Sequence, residues 1–160
     1  MQPTAPPGDR RPSTSSSCTA RMMRQKILTT SARSALMKSV GQSDTAPERS
    51  VRSFLHRRGF RFRLNSASLP GRPDIVLSRY RTVIFVHGCF WHGHDCRHGS
   101  VQAKTNRDFW TAKIAANRSR DERKSRLLHA ADWHVETIWE CEVCDEEVMQ
   151  RLVRRLRSRL

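Results

Sequence analysis

Between Cys89 and His98 the chain reads CFWHGHDCRH, two cysteines and three histidines in one short stretch. A segment so poor in aliphatic side chains cannot hold itself against a core by burial. Binding of a tetrahedral zinc ion by thiolate and imidazole would organise it, because the free energy of such binding is folding free energy. Cys89, His94 and Cys96 provide three ligands from this one loop, although His92 and His98 compete for the imidazole position. A fourth ligand must arrive from elsewhere in the chain. Cys141, just past the segment WHVETIW, is suitably placed if a sheet brings that segment beside VIFV, and Cys144 competes with it. Cys18 stands alone and reads as an idle thiol.

The flanking pattern shows how such a sheet arises. Asp44 or Thr45 can cap a helix that has Pro47 in its first turn and Glu48 just after it, and Gly59 ends it. Val51, Phe54 and Leu55 share one face of that helix. Phe60–Leu64 alternates as a half-buried strand does. After the turn-rich Leu69–Pro73, the apolar runs Ile75–Leu77 and Thr82–Val86 are separated by a hairpin-sized gap, which predicts antiparallel neighbours. Residues 106–131 return to a helical pattern, with Phe109, Ile114, Leu127 and Leu128 as core candidates. Trp133–Trp139 alternates as a further strand, with both tryptophans expected in the core, and an Arg-loaded amphipathic helix follows from Cys144. Arg33–Val40 also has helical character. Together these elements predict an α/β fold, a mixed sheet of about four strands flanked by helices.

The first residues do not join that core. Rich in Pro, Ser and Thr, they cannot bury enough surface to offset the entropy of ordering. Residues 1–28 are therefore expected to form a disordered basic tail, and 29–160 one folded domain. Lys and Arg outnumber Asp and Glu by 30 to 15 in 160 residues, and a surface that positive favours a polyanion, most commonly nucleic acid. No run approaches eighteen apolar residues, so no membrane span is expected, and the N-terminus has no apolar signal region. A reducing, cytoplasmic location follows, in which cysteines serve metals more often than disulfides.

Pro73-Asp74 opens a strand, and the next strand ends at Val86-His87. In nucleases of the PD…(D/E)xK class, a hairpin of this kind sets a carboxylate beside a second metal-binding group, and a lysine faces the scissile phosphate. The chemistry needs a hard, oxygen-bound cation to neutralise the phosphate and activate water. Asp74 can bind one. The E-x-K element is missing, since its positions hold Phe85, Val86 and His87.

The segments ASLPGRPDIV (67–76), VIFVHGCFWHGHDC (83–96) and WEC (139–141) together resemble the very-short-patch repair endonucleases, the Vsr family. The similarity runs from about Arg33 to Cys141. It implies a PD-(D/E)xK-like fold with a structural zinc site, and a magnesium-dependent nickase that cuts 5′ to the mispaired thymine of a T:G mismatch left by deamination of 5-methylcytosine. Asp74 then resembles the family's magnesium-binding aspartate. Val86 stands where the family's threonine lends its main-chain carbonyl to the metal. His87 resembles an active-site histidine facing the phosphate, and His92 the general base for the attacking water. Glu48 resembles the glutamate that orients this base, and Asp121 a further acidic residue near the site. The zinc set carries over as Cys89, His94, Cys96 and Cys141, and the DNA-inserting rings as Phe90, Trp91 and Trp110. Gly93 departs from the family, which often carries another histidine there. Arg72, Lys104, Arg107, Lys113 and Arg118 are candidates for phosphate contact. The partners implied are double-stranded DNA with a T:G mismatch and mismatch-repair proteins, bound by a monomer in a bacterial-type, nucleoid-associated setting. The competing readings are a related nuclease for another lesion or site, and a zinc-stabilised DNA-binding module without catalysis. Variation of the mismatch in a nicking assay separates them.

Overall fold

Thr45 starts the first described helix, α1 (Ala46–Arg57), by a reciprocal cap with Glu48 in a computed structural model that describes residues 43–100 and 106–160. The Glu48 amide donates to the Thr45 hydroxyl at 3.5 Å, and that hydroxyl donates to Glu48 Oε1 at 2.8 Å. Gly59, at φ +85°, turns the chain out of the helix, a conformation that a side chain would strain. The 1–28 tail, the 33–40 helix and Lys104 lie outside the described residues.

Phe60 goes into the core instead of opening a strand. Its amide donates to Leu55 O and its ring lies 5.2 Å from that of Tyr80, so the strand expected over Phe60–Leu64 shrinks to β1, Arg63–Leu64. A four-stranded sheet follows in the order β1, β2 (Ile75–Leu77), β3 (Thr82–His87), β4 (His134–Trp139). β1–β2 and β2–β3 are antiparallel, and β3–β4 is parallel. A parallel pair requires a long crossover. Here it consists of the single-turn α2 (Cys89–His92) and the long α3 (Arg107–Ala130). The last helix, α4 (Glu146–Arg157), is capped by Asp145, which accepts from the Glu147 and Val148 amides.

Strand periodicity then decides which side chains meet. Ile75, Leu77, Ile84 and Ile138 face α1 and α4, where Val51, Leu55, Met149, Leu152 and Leu156 close the larger core. Val76, Val83 and Phe85 face α3 and pack with Leu128, with Trp133 and Val135 at the edge. Buried Glu136 ties α4 to the first face through Arg155 and Arg159 at 2.8 and 2.9 Å. His87 is in phase with Val83 and Phe85, and Trp139 with Val135, so both project toward α3 at the carboxyl ends of the two parallel strands. The mixed sheet flanked by helices is thus as expected.

The core of α3 is not. Phe109 and Leu127 are 60% and 52% exposed, Ile114 is half-buried, and Leu128 alone among the four is buried. The helix touches the sheet by a narrow stripe, because its middle flanks a cleft. Among the described residues no helix is long and apolar enough to cross a membrane.

Candidate active site and metal centre

Extending the β2–β3 register by two residues puts Pro73 opposite Val86. Proline has no N–H to offer a ladder. The Val86 amide instead donates to Asp74 Oδ2 at 2.8 Å, which draws the carboxylate across the strand end. A residue's N–H and C=O point to the same edge of a strand, so the Val86 carbonyl faces the same side as Asp74. Burial pushes the Asp74 carboxyl up to about 6; Glu48's charge raises it further, while the Val86 bond, Arg52 and Lys124 pull it down. A partly desolvated carboxylate that is eased by protonation is also eased by a neighbouring cation.

One step along the strand, the His87 ring stacks on His92 at 3.9 Å and 7°, with Trp139 edge-on at 5.4 Å. Burial, then the neighbouring charge of His92, pushes His87 down to about 4, so it is neutral near pH 7. His92 Nδ1 meets Asp121 Oδ2 at 2.5 Å, and Asp121 Oδ1 accepts from Lys124 Nζ at 3.2 Å. Burial works to raise the Asp121 carboxyl, but the His92 hydrogen bond, the charges of His92 and His87 and the Lys124 hydrogen bond outweigh it and hold the group below its ordinary value. Donor atoms of His87, His92 and Asp121 all lie within 4.8 Å of one another. They line a cleft of about 650 Å³ between β3, β4 and α3.

Glu48 needs correction. Oε1 accepts from Thr45, and Oε2 from Arg52 at 2.6 Å and the Asp44 amide at 2.9 Å. Among the described residues the carboxylate on His92 belongs to Asp121, so the orienting contact expected of Glu48 is made from α3 instead. The helix cap and the Arg52 ion pair hold Glu48 at the far side of Asp74, where it acts by charge.

The backbone around His92 is held in place by α3. Asn117 Nδ2 donates to Trp91 O at 2.8 Å, and the Arg118 guanidinium donates to the carbonyls of His92 and Gly93. Gly93 ends α2 at φ +61°, and a Cβ there would come within 2.7 Å of Ile114. Arg118, a phosphate candidate by sequence, is thus a clamp on the loop. Arg72 and Lys113 are exposed. Neither Asn117 nor Lys124 had any signal in the sequence beyond a helical pattern.

Beside this group, ligand atoms of Cys89, His94, Cys96 and Cys141 lie within 4.8 Å of one another, a set able to hold a metal ion. It contains His94 rather than His92 or His98, and Cys141 rather than Cys144. The parallel register that sets His87 against Trp139 also carries Cys141 to the loop. The His94 ring stacks on Trp139 at 4.2 Å and 10°, so this tryptophan joins the two clusters instead of the core. Three thiols in contact cannot all ionise without a cation. For Cys96 the cost of burial is outweighed by hydrogen bonds from the Gly99 and His98 amides and from His94 and Cys89, bringing it down to about 6. Burial and the two neighbouring sulfurs push Cys141 up to about 12.

Phe90, Trp91 and Trp110 form one edge-to-face cluster with centroids 5.2–5.7 Å apart. All three are half-buried, and exposed Phe109 lies 5.3 Å from Trp110. Phe90 directly follows Cys89 of the metal set in the chain.

Three comparisons bear on this geometry. Residues 25–98 match the model of the family described as DNA mismatch endonuclease Vsr. The type II nicking enzyme V.XorIIP of Xanthomonas oryzae pv. oryzae is 49% identical over 121 residues, 76% of this chain and 88% of that protein. The DNA mismatch endonuclease Vsr of Escherichia coli is 44% identical over 126 residues, 75% of this chain and 80% of that protein. In structure, the catalytic domain of the homing endonuclease I-Bth0305I superposes with a TM-score of 0.50 at 22% identity, covering 73% of this chain and 99% of that domain. This last likeness concerns the fold alone.

Proposed function

The chain belongs to the Vsr family of DNA mismatch endonucleases, and from that premise we propose that it nicks duplex DNA 5′ to the mispaired thymine of a T:G mismatch. The observation that carries this reading is that one end of the β2–β3 hairpin holds both a partly buried carboxylate and the histidine that stacks on a histidine–aspartate pair. Asp74 is aimed by the Val86 amide, and His92 is held by Asp121 on the other side of His87. A DNA-binding module without catalysis has no use for a carboxylate held at such cost in the desolvated protein.

Asp74 and the Val86 carbonyl would hold magnesium, which as a hard cation supplies charge neutralisation at the phosphate and a more acidic water. The two oxygens point to the same strand edge, and the raised Asp74 carboxyl is relieved by a cation, so the residues present fit such an ion. Asp121 is an acceptor only, so His92 Nδ1–H donates to it and keeps its proton, leaving Nε2 as the base that removes a proton from the attacking water. The neutral His87 ring, stacked flat on His92, restricts that base to one plane and can donate to a phosphate oxygen. Trp139 and His94 link this plane to the thiol cluster. Cys89, His94, Cys96 and Cys141 would hold zinc as a structural ion, since four protein donors complete a tetrahedron.

Phe90, Trp91 and Trp110 would enter the base stack beside the mismatch. A flat ring replaces the stacking it breaks, and a mispaired step costs less to open. The test is an end-labelled duplex pool with one T:G mismatch in randomised flanks, incubated with magnesium. Cleavage on the thymine strand, and none of the matched T:A pool, is expected. Equal cutting of both pools would assign the protein to a different site.

A further inference from the structure

The strand that should carry a lysine toward the phosphate offers Phe85, Val86 and His87 in its place, none of them a lysine or arginine. The positive charge for the phosphate must therefore come from another element. Four basic side chains stand near enough to consider. Arg52 is held between Glu48 and Asp44. Arg118 is bonded to the carbonyls of His92 and Gly93. Arg126 lies on the rim, its side chain 72% exposed beside Glu122.

Lys124 differs from all three. It lines the cleft from α3, its side chain 27% exposed, and Nζ sits 3.2 Å from Asp121 Oδ1 and 6.0 Å from the Phe85 ring centroid. An ammonium has three N–H donors, and the carboxylate of Asp121 takes one. The stem is fixed as well as the head. A Cβ on Gly71 would lie 2.7 Å from Lys124 Cδ and 2.8 Å from Cγ, so the side chain runs directly over the Gly-Arg-Pro turn that presents Asp74. An i,i+3 ion pair on a helix surface needs no such groove, and is worth only a few tenths of a kcal/mol.

We propose that Lys124, on the crossover helix, stands in for the missing strand lysine and donates from Nζ to a non-bridging oxygen of the scissile phosphate. The inference rests on the nuclease reading above. It makes Asp121 a double anchor, orienting the base through one oxygen and the phosphate-binding cation through the other.

The test compares wild type with Lys124→Met, which keeps the stem over Gly71, Lys124→Gln, a second uncharged form, and Lys124→Arg, which restores the charge. The substrate is the best-cut duplex of the T:G pool. Single-turnover nicking is read across pH, duplex Kd is read without magnesium, and thermal melting identifies any variant that fails to fold. The uncharged variants are expected to nick about 100-fold more slowly, as for loss of one donor to a developing oxyanion. Duplex Kd should stay within about threefold, since one phosphate contact among many is lost. The pH at half-maximal rate should not move, and Lys124→Arg should recover most of the rate. Nicking by a folded uncharged variant within about threefold of wild type overturns the proposal. So does a slowed variant whose whole loss appears as a shifted pH profile, because Lys124 would then act only through Asp121 and His92. Wild type that nicks no duplex in the pool sinks the nuclease reading and this one with it, a result distinct from either.

Discussion

His92 Nδ1 and Asp121 Oδ2 lie 2.5 Å apart, joining the one-turn helix after β3 to the middle of the crossover helix. The bond fixes the tautomer of the imidazole, and it is the reason the ring's other nitrogen can take a proton. Asp121→Asn offers an amide in place of an obligate acceptor and can hold the wrong tautomer. Single-turnover nicking should fall about 100-fold or more, while melting temperature and duplex Kd change little. A variant with unaltered rate would move the base elsewhere.

The thiol cluster has a separable role. Purified protein should hold one zinc per chain by elemental analysis, retained through a mild EDTA treatment that abolishes nicking until magnesium is restored. Cys96→Ser or Cys141→Ser should lose the zinc and, with it, several kcal/mol of folding free energy. Both should melt at least about 5 °C lower. Zinc-free wild-type protein with the same melting temperature would remove the structural assignment.

Asp74 links stability to pH in a direction opposite to most carboxylates. Its folded value of about 6 lies above the ordinary 3.8, so between those values the folded state holds a proton that the unfolded chain has released. This contribution to stability is complete below about pH 4 and is lost as pH rises through 6, amounting to roughly 2–3 kcal/mol in metal-free protein. Magnesium should reverse the loss, raising the melting temperature at about pH 7.5 and scarcely at about pH 5. Asp74→Asn should melt higher than wild type without magnesium at the higher pH and show no magnesium effect. An equal magnesium shift at both pH values would place the ion away from Asp74.

Phe109 and Trp110 are adjacent, yet their variants should behave differently. Phe109 is 60% exposed, so Phe109→Ala should alter the melting temperature by no more than about 1 °C. Trp110→Ala opens the ring cluster and should slow nicking of the mismatched duplex by about 10-fold, in keeping with the loss of one stacked base at about 1–3 kcal/mol. A base analogue whose fluorescence rises on unstacking, placed beside the mismatch, should brighten with wild type and less with this variant.

Short segments made much of this site legible, the Cys/His loop by its own composition and Asp74, His87 and His92 through the family resemblance those segments carry. The Gly-Arg-Pro-Asp turn, the alternation that aims His87 and the ligand loop each constrain the chain over a few positions. The contacts of the crossover helix could not be read this way. Its 24 residues bury only Asn117 and Leu128, so no apolar stripe marks which side faces the sheet, and Phe109 and Leu127 look like core when they are surface. The pairing of His92 with Asp121 instead of Glu48 depends on that same rotation, as does the placement of Lys124. Glu48 misleads for another reason. A glutamate three residues after a capping threonine has a local use, and the fold takes it.

The central claim is that Asp74, and not merely the basic surface, makes this protein a nuclease. Asp74→Ala removes the carboxylate and leaves the ring cluster, the thiol set and the positive charge in place. Measured side by side on one mismatched duplex, the variant should bind with a Kd within about threefold of wild type and nick at least about 1,000-fold more slowly with saturating magnesium. Nicking at the wild-type rate by that variant would contradict the account.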